Sequence, residues 1–391
     1  MAKTYSIRTY NKIADVGIRR YKGNYKVSDM EESPDGIMLR SYNLHDEPIP
    51  DSVVAVGRAG AGVNNIPIDK LSKKGVAVFN APGANANSVK ELVLAGMLLA
   101  GRNIYEAIEY TKDLPAQNMK ESVEAGKKKF AGSELKGKTL GVIGLGAIGY
   151  RVANSALDLG MRVYGHDPAL SLKNARQLSS AVSTVEDLNE LLAESDYLTI
   201  HVPLLESTRG LIGKSEISKL KKGCVVLNFA RDELIDEKEL LKAIDKGDIN
   251  RYVTDFPNPT TNGQEGVIAL PHLGASTGEA EDNCAVMIAD QLQDYIENGN
   301  IQNSVNLPNT VLSRKGNLRL TLVHSNEPGM VAQISNILSE ENINLLDLLN
   351  RSRGELAYSL IDIDEKELPD SVLEKLKKIP QVYKLRLLGK S

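Results

Sequence analysis

The chain is poor in cysteine: its 391 residues hold two, Cys224 and Cys284. Neither has metal-ligand spacing to other cysteines or histidines, so the pattern contains no zinc module and no disulfide framework. Two isolated thiols suit a reducing compartment. No apolar run approaches transmembrane length, and the N-terminus has no stretch of signal-peptide type, so the expected location is cytoplasmic. An excess of positive charge is also missing. The 47 Lys and Arg against 51 Asp and Glu give a net charge of −4, so neither nucleic acid nor a membrane surface is an expected partner. The one short basic run, Lys127-Lys-Lys-Phe130, reads best as a solvated face. Otherwise the composition is ordinary for a globular protein, and a chain of this length calls for two or three domains.

What the sequence does hold is concentrated between Lys138 and Asp167. A short apolar β-like run, Thr139 to Ile143, enters a turn with Gly144, Gly146 and Gly149. The first glycine permits the tight turn, the second lets backbone approach a pyrophosphate, and the third lets the following helix pack close to its strand. The positive end and free N–H groups of that helix then face the phosphates. A second strand ends at Asp167, placed to accept from ribose hydroxyls. No arginine follows it to take a 2′-phosphate, so the pattern points to NAD over NADP.

Around this unit the chain alternates strand and helix, the signature of parallel α/β lobes with ligand loops at strand carboxyl ends. Before it, β-like runs fall at 5–9, 36–41, 53–57 and 76–80, with helical patterns at 11–21 and 68–74. Arg40 and Arg58 close two of these strands beside glycine-rich backbone, where fixed guanidinium groups suit a carboxylate or phosphate; an ordinary surface arginine is the alternative at each. A nearly all-apolar helix is expected over 88–102 and a polar helical stretch over 103–129. After Asp167, strands at 197–202, 222–229, 251–256 and 266–270 bring Arg231 and His272 to strand ends. A histidine beside a nicotinamide can exchange the proton that accompanies hydride transfer, and an arginine can hold an α-carboxylate and polarise the reacting carbonyl. Ser276-Thr-Gly-Glu279 is a capping box opening a helix to about 298. Residues 303–317 read as a linker, and the remainder is a small βαββαβ pattern in which His324, Asn326 and Asn344 offer polar groups to a small ligand or simply line solvated turns.

With these residues in place, the chain resembles the D-3-phosphoglycerate dehydrogenases, part of the D-isomer-specific 2-hydroxyacid dehydrogenase family. The matching segments include Val56-Gly-Arg-Ala-Gly-Ala-Gly-Val-Asn-Asn65, Phe130-Ala-Gly-Ser-Glu-Leu-Lys-Gly-Lys-Thr-Leu-Gly141, Asn228-Phe-Ala-Arg231 and Pro271-His-Leu-Gly-Ala-Ser-Thr277. The resemblance implies NAD-dependent oxidation of 3-phosphoglycerate, the first step of serine synthesis. It implies two Rossmann-like doubly wound lobes: a discontinuous substrate domain over 1–102 and 281–302, and an NAD domain over 103–280. A linker over 303–316 and an ACT domain over 317–391 complete the expected organisation. By the same resemblance His272 is the acid/base, Arg231 binds the carboxylate and keto group, and Arg40, Arg58 and Asn85 grip the anionic ends. Ala147, Ile148, His166, Asp167, Pro168, Pro203, Ala230 and Asp255 would join the three glycines at the NAD site. His324, Asn326 and Asn344 fall on the positions that bind serine in serine-inhibited members, and a homodimer or homotetramer is implied.

One departure stands out. The family pattern carries a glutamate that hydrogen-bonds the catalytic histidine, and here Thr254-Asp-Phe-Pro-Asn-Pro259 places Asn258 nearest that position. Either another acid, Asp255 or Glu265, takes the role, or the histidine works with a lower pKa. Two other readings stay open: a sibling reductase acting on glyoxylate or hydroxypyruvate, and an NAD-sensing interaction protein on the same fold.

Overall fold

A computed structural model describes residues 4–389. The chain divides into two compact units, one from Ala86 to Thr277 and the other made of the residues before and after it.

The inserted unit is built on a seven-stranded parallel sheet in the order Val267–Ala269, Ile249–Thr254, Cys224–Asn228, Tyr197–Ile200, Thr139–Ile143, Arg162–His166, Ser183–Thr184. The first strand in sequence, Thr139–Ile143, lies inside the sheet, with the second on one side and the fourth on the other. That reversal is the topological switch point at which doubly wound sheets bind ligands. Thr139–Ile143, Tyr197–Ile200 and Cys224–Asn228 are buried along their whole length, as strands covered by helices on both faces must be. The helix Ala86–Gly101 packs on Gly149–Asp158 and on Cys224–Asn228 within this unit.

The outer unit holds two sheets. One is parallel, in the order Tyr25–Ser28, Tyr5–Tyr10, Gly36–Leu39, Ala55–Arg58, Ala77–Phe79. The 21-residue helix Gly278–Asn298 lies against it. A Cβ on Gly57 would meet Ile288 Cγ2 at 2.5 Å, so glycine there sets how close helix and strand come. The helical pattern expected over 11–21 shrinks to the single turn Asp15–Ile18, followed by the strand Tyr25–Ser28, which periodicity had not suggested.

The second sheet is antiparallel, in the order Leu345–Arg353, Leu356–Ile363, Leu318–Ser325, Val382–Gly389. Leu318, Leu320 and Leu322 alternate onto one face and pack with Met330, Ile334 and Leu338 of the helix Met330–Glu340. Val323, Tyr358 and Leu360 share a second core with Tyr295 and Ile296 at the end of the long helix. The connecting segment is therefore not a loose spacer. Leu307 and Thr310 are fully buried, Ser304 Oγ donates to Val78 O (2.9 Å), and Asn306 Oδ1 accepts from Val78 N (2.9 Å). Asn306 Nδ2 also donates to Val76 O (2.9 Å), so polar side chains that look like linker composition serve as substitutes for a strand partner.

Candidate active site and nucleotide cradle

Gly144 follows the strand Thr139–Ile143 at φ +87°, and a Cβ there would meet His201 O at 2.7 Å. A Cβ on Gly149 would collide with Gly144 O, so both positions exclude larger residues for reasons internal to the fold. Gly146 differs: nothing lies within 4 Å of its Cβ position. The open space over Gly146 is where a pyrophosphate can approach backbone, and the helix Gly149–Asp158 begins beside it. Ala147 and Ile148 complete the turn, with Arg151 Nη1 donating to Ala147 O.

Asp167 caps this turn as well as ending the next strand. Its Oδ2 accepts from Leu145 N (2.8 Å) and its Oδ1 from Ala169 N (2.9 Å). Each carboxylate oxygen keeps a second lone pair for a ribose hydroxyl. A cavity of about 530 Å³ opens there, lined by Leu145, His166, Asp167, Pro168, Val185 and Glu186 among others. His166 Nδ1 lies 3.1 Å from Val185 O, which places the ring proton on Nδ1. Pro203 and Ala230 follow the strands Tyr197–Ile200 and Cys224–Asn228 on the same sheet edge.

Arg231, Asp255 and His272 lie along that edge too. His272 adopts φ +47°, the left-handed region, and its N–H donates to Asp255 O (2.9 Å) and Leu270 O (3.1 Å). A non-glycine residue held there is a strained position fixed by its surroundings. The imidazole packs on Phe256, ring centroids 4.7 Å apart, and the Arg231 guanidinium carbon lies 5.8 Å from the same phenyl ring. Phe256 is thus a neighbour shared by the two side chains. A cavity of about 310 Å³ is lined by Asp232, Asp255, Phe256, Pro257, Pro271 and His272. Asp255 Oδ2 accepts from Gly274 N (2.8 Å), while its buried Oδ1 has no partner among the described residues. Burial pushes the Asp255 carboxyl up, and the Gly274 bond with the His272 and Arg231 charges pulls it partly back.

Of the residues that the sequence offers as stand-ins for a glutamate, Asp255 lines the cavity of His272, and the other two are engaged elsewhere. Asn258 Nδ2 donates to Glu237 Oε2 (2.6 Å), so the amide is committed away from the imidazole. Glu265 lines a separate cavity with Glu106 and Arg251. Among the described residues no side chain hydrogen-bonds the His272 ring. Asp232, Phe256 and Glu237 were not singled out by sequence; only their closeness to Arg231 and Asp255 along the chain pointed toward them.

In the outer unit, Arg40 Nη1 pairs with Glu281 Oε1 at 2.6 Å. Arg58 Nε donates to Arg40 O (2.9 Å), and its Nη1 bonds Gly62 O, so this side chain also braces the glycine-rich loop. Burial pushes the Cys284 thiol up to about 11, and both arginines pull against that rise, which sets them beside the start of the long helix. Asn85 is half-buried just before the helix Ala86–Gly101. In the antiparallel sheet His324 is buried, with Nδ1 2.8 Å from Ser325 O and Nε2 near Ser359 Oγ (3.0 Å) and Asn350 Oδ1 (3.2 Å). Asn326 and Asn344 are exposed, and Asn326 Nδ2 donates to Gly354 O (3.1 Å). The structure thus leaves the two asparagines open to solvent and encloses the histidine.

The residues fit a bound dinucleotide: an open cradle over Gly146, an acid beside a cavity of about 530 Å³, and an orphaned buried carboxylate oxygen near the histidine. Together with the doubly wound sheet, they define an NAD-binding dehydrogenase fold. Comparison with known proteins agrees. The family model for the D-isomer specific 2-hydroxyacid dehydrogenase NAD binding domain matches residues 94–274, and that for an AHAS small subunit-like ACT domain matches 320–384. A D-3-phosphoglycerate dehydrogenase of Escherichia coli is 33% identical over 351 residues, covering 86% of this chain and 82% of the relative. One from Methanocaldococcus jannaschii is 36% identical over 320 residues, 80% of this chain, which spans 58% of that relative's length. The NAD+-bound 3-phosphoglycerate dehydrogenase of Entamoeba histolytica superposes with a TM-score of 0.61 at 28% identity, covering 79% of this chain and 100% of that one. The chain belongs to the D-3-phosphoglycerate dehydrogenases of the D-isomer-specific 2-hydroxyacid dehydrogenase family, with a C-terminal ACT domain.

Proposed function

We propose that this protein oxidises D-3-phosphoglycerate to 3-phosphohydroxypyruvate with NAD, the first step of serine synthesis, and that serine regulates it through the ACT domain. The observation that carries the reading is the pair Arg231 and His272, both set against the ring of Phe256 at the sheet edge that bears the dinucleotide cradle. Bound NAD supplies the hydride acceptor. Arg231 holds the substrate carboxylate and polarises the carbon–oxygen bond that becomes the carbonyl. His272 takes the hydroxyl proton at a ring nitrogen, which no side chain among the described residues occupies. Asp255 accepts from a polar group on the cofactor with the Oδ1 that the protein leaves unpaired. Arg40, Arg58 and Asn85 serve the anionic ends, with the phosphate displacing Glu281 from Arg40.

The regulatory half rests on the exposed Asn326 and Asn344 and on the rigid seating of the ACT sheet. Arg386 donates to Tyr295 O and Ile296 O, and Tyr358 OH donates to Gly299 O, so the sheet grips the last turn of the helix whose first turn carries Glu281. Serine acts in this scheme by favouring one position of that body. Self-association through the inserted unit belongs to the same reading: Leu98, Tyr105, Ile108, Met119 and Val123 are exposed on its successive helices. A cytoplasmic location is part of it as well; no helix among the described residues is long and apolar enough to cross a membrane.

The test is NADH formation with D-3-phosphoglycerate, with and without millimolar serine. Turnover that serine suppresses supports substrate and regulation together. Turnover with hydroxypyruvate or glyoxylate and NADH alone rejects the substrate assignment, and no turnover with any 2-hydroxy acid rejects the enzymatic reading.

A further inference from the structure

The family resemblance leads one to look for a carboxylate on the imidazole of His272, and the structure puts a half-buried glutamate one residue further out, behind Asn258. We propose that Glu237 is a positioning residue for the reaction, holding at the two ends of one carboxylate the segment that presents Arg231 and the loop that seats Phe256 against His272. The inference rests on the reading of Arg231 and His272 as the reacting pair.

Asn258 Oδ1 accepts from Thr260 N (2.9 Å) and Thr261 N (3.3 Å), so its amide cannot flip without orphaning two backbone donors. Its Nδ2 must therefore donate, and it donates to Glu237 Oε2 at 2.6 Å. On the other side, Asn228 Oδ1 accepts from Ala230 N (3.1 Å), which fixes that amide as well. Asn228 Nδ2 donates to Arg231 O (2.7 Å) and to Tyr252 OH (3.3 Å), and the fully buried Tyr252 donates to Glu237 Oε1 (3.1 Å). Both chains of donors run toward Glu237. A group that accepts on two oxygens and donates on none satisfies them, and an ionised carboxylate is such a group. One chain pins residues 228–231 through backbone; the other closes residues 258–261, directly after Phe256 and Pro257. Since Phe256 touches the His272 ring and faces the Arg231 guanidinium, the spacing of those two segments sets the spacing of the reactive groups.

The experiment compares wild type, Glu237→Gln, and the double variant Glu237→Gln with Asn258→Asp, all in the full chain. In the single variant the introduced glutamine has one oxygen for two donors, so either Asn258 Nδ2 or Tyr252 OH loses its acceptor. Misplacement of this kind lowers kcat by about tenfold to a hundredfold, with NAD affinity, read by titration of NADH fluorescence, unchanged. In the double variant the glutamine donates to the introduced carboxylate and still accepts from Tyr252, while that carboxylate still accepts from Thr260 and Thr261. Every donor regains an acceptor at the same total charge, so kcat returns to within about threefold of wild type. A wild-type kcat in the single variant overturns the proposal. So does a folded double variant no faster than the single one, and if the single variant does not fold, a folded but slow double variant overturns it equally. Failure of wild type to turn over 3-phosphoglycerate rejects the substrate reading instead; the same ratios are then measured on whichever 2-hydroxy acid is oxidised.

Discussion

Removing either half of the Arg319–Asp362 pair should loosen the ACT sheet far more than an ordinary ion pair would. Both side chains are fully buried. Arg319 Nε and Nη2 reach the two carboxylate oxygens at 2.6 and 2.9 Å, and Nη1 donates to Asn298 O and Leu312 O, each at 2.9 Å. Lys315 N donates to Asp362 Oδ2 at 2.8 Å, so one pair ties the long helix, the connecting strap and two strands together. Asp362→Ala leaves a buried guanidinium with carbonyls alone, and Arg319→Met leaves a buried carboxylate with one backbone donor. Each should cost about 3–5 kcal/mol, as breaking a buried pair does. Arg319→Met combined with Asp362→Leu leaves no buried charge, only two carbonyls short of a donor and the Lys315 N–H short of an acceptor, and should cost roughly 1–3 kcal/mol. The assay is native-state hydrogen exchange of the Leu318–Ser325 amides, which reads opening of this sheet without requiring the whole chain to unfold as one. Single-variant losses below about 1 kcal/mol, the range of exposed pairs, or a double variant that costs the sum of the singles, would refute the reasoning. The same pair sets an acid limit. Burial pushes the Asp362 carboxyl up, but the Arg319 and Lys315 bonds outweigh it and hold the group below the ordinary carboxylate value. Its stabilising contribution is therefore complete above the unfolded value and is lost as pH falls below about 4; protection rising toward lower pH would contradict this.

Further outcomes follow from the site. Gly146→Val should leave thermal stability near wild type, because its Cβ position is open, yet weaken NAD binding by at least about tenfold, roughly 1.4 kcal/mol; unchanged NAD affinity in a titration would place the phosphates elsewhere. His272→Ala should lower kcat by about a hundredfold to ten-thousandfold while NAD still binds, and retained turnover would remove His272 from the acid/base role. Asn326→Ala should abolish inhibition by serine and leave the basal rate intact, as inhibition curves at fixed substrate would show; a variant still fully inhibited would move the effector site away from this loop.

Much of the molecule was decided locally, and so could be read from sequence. Glycine at 144, 146 and 149 followed by a helix has few other uses, because the turn, the phosphate approach and the helix contact each forbid a side chain for a separate steric reason. Alternation of strand and helix implies a parallel sheet, and a parallel sheet brings Arg231, Asp255 and His272 to one edge wherever the strands are in the chain. The βαββαβ order of the last 75 residues likewise fixes its sheet. What sequence could not decide are matters of partnership across distance. Residues 303–317 have a linker's composition, and only the neighbouring strand Ala77–Phe79, whose edge is capped by Ser304 and Asn306, makes them a strap whose first half is largely buried. His324 occupies an effector-like position in the chain, but Ser359 from the adjacent strand and Asn350 from the strand beyond it enclose its ring. Asn258 stands where a catalytic glutamate is expected, and whether its amide faces His272 depends on two threonine N–H groups and on a glutamate 21 positions away. Local spacing determines which backbone can form and what it can approach; which of several polar groups is already satisfied is settled only when distant segments pack.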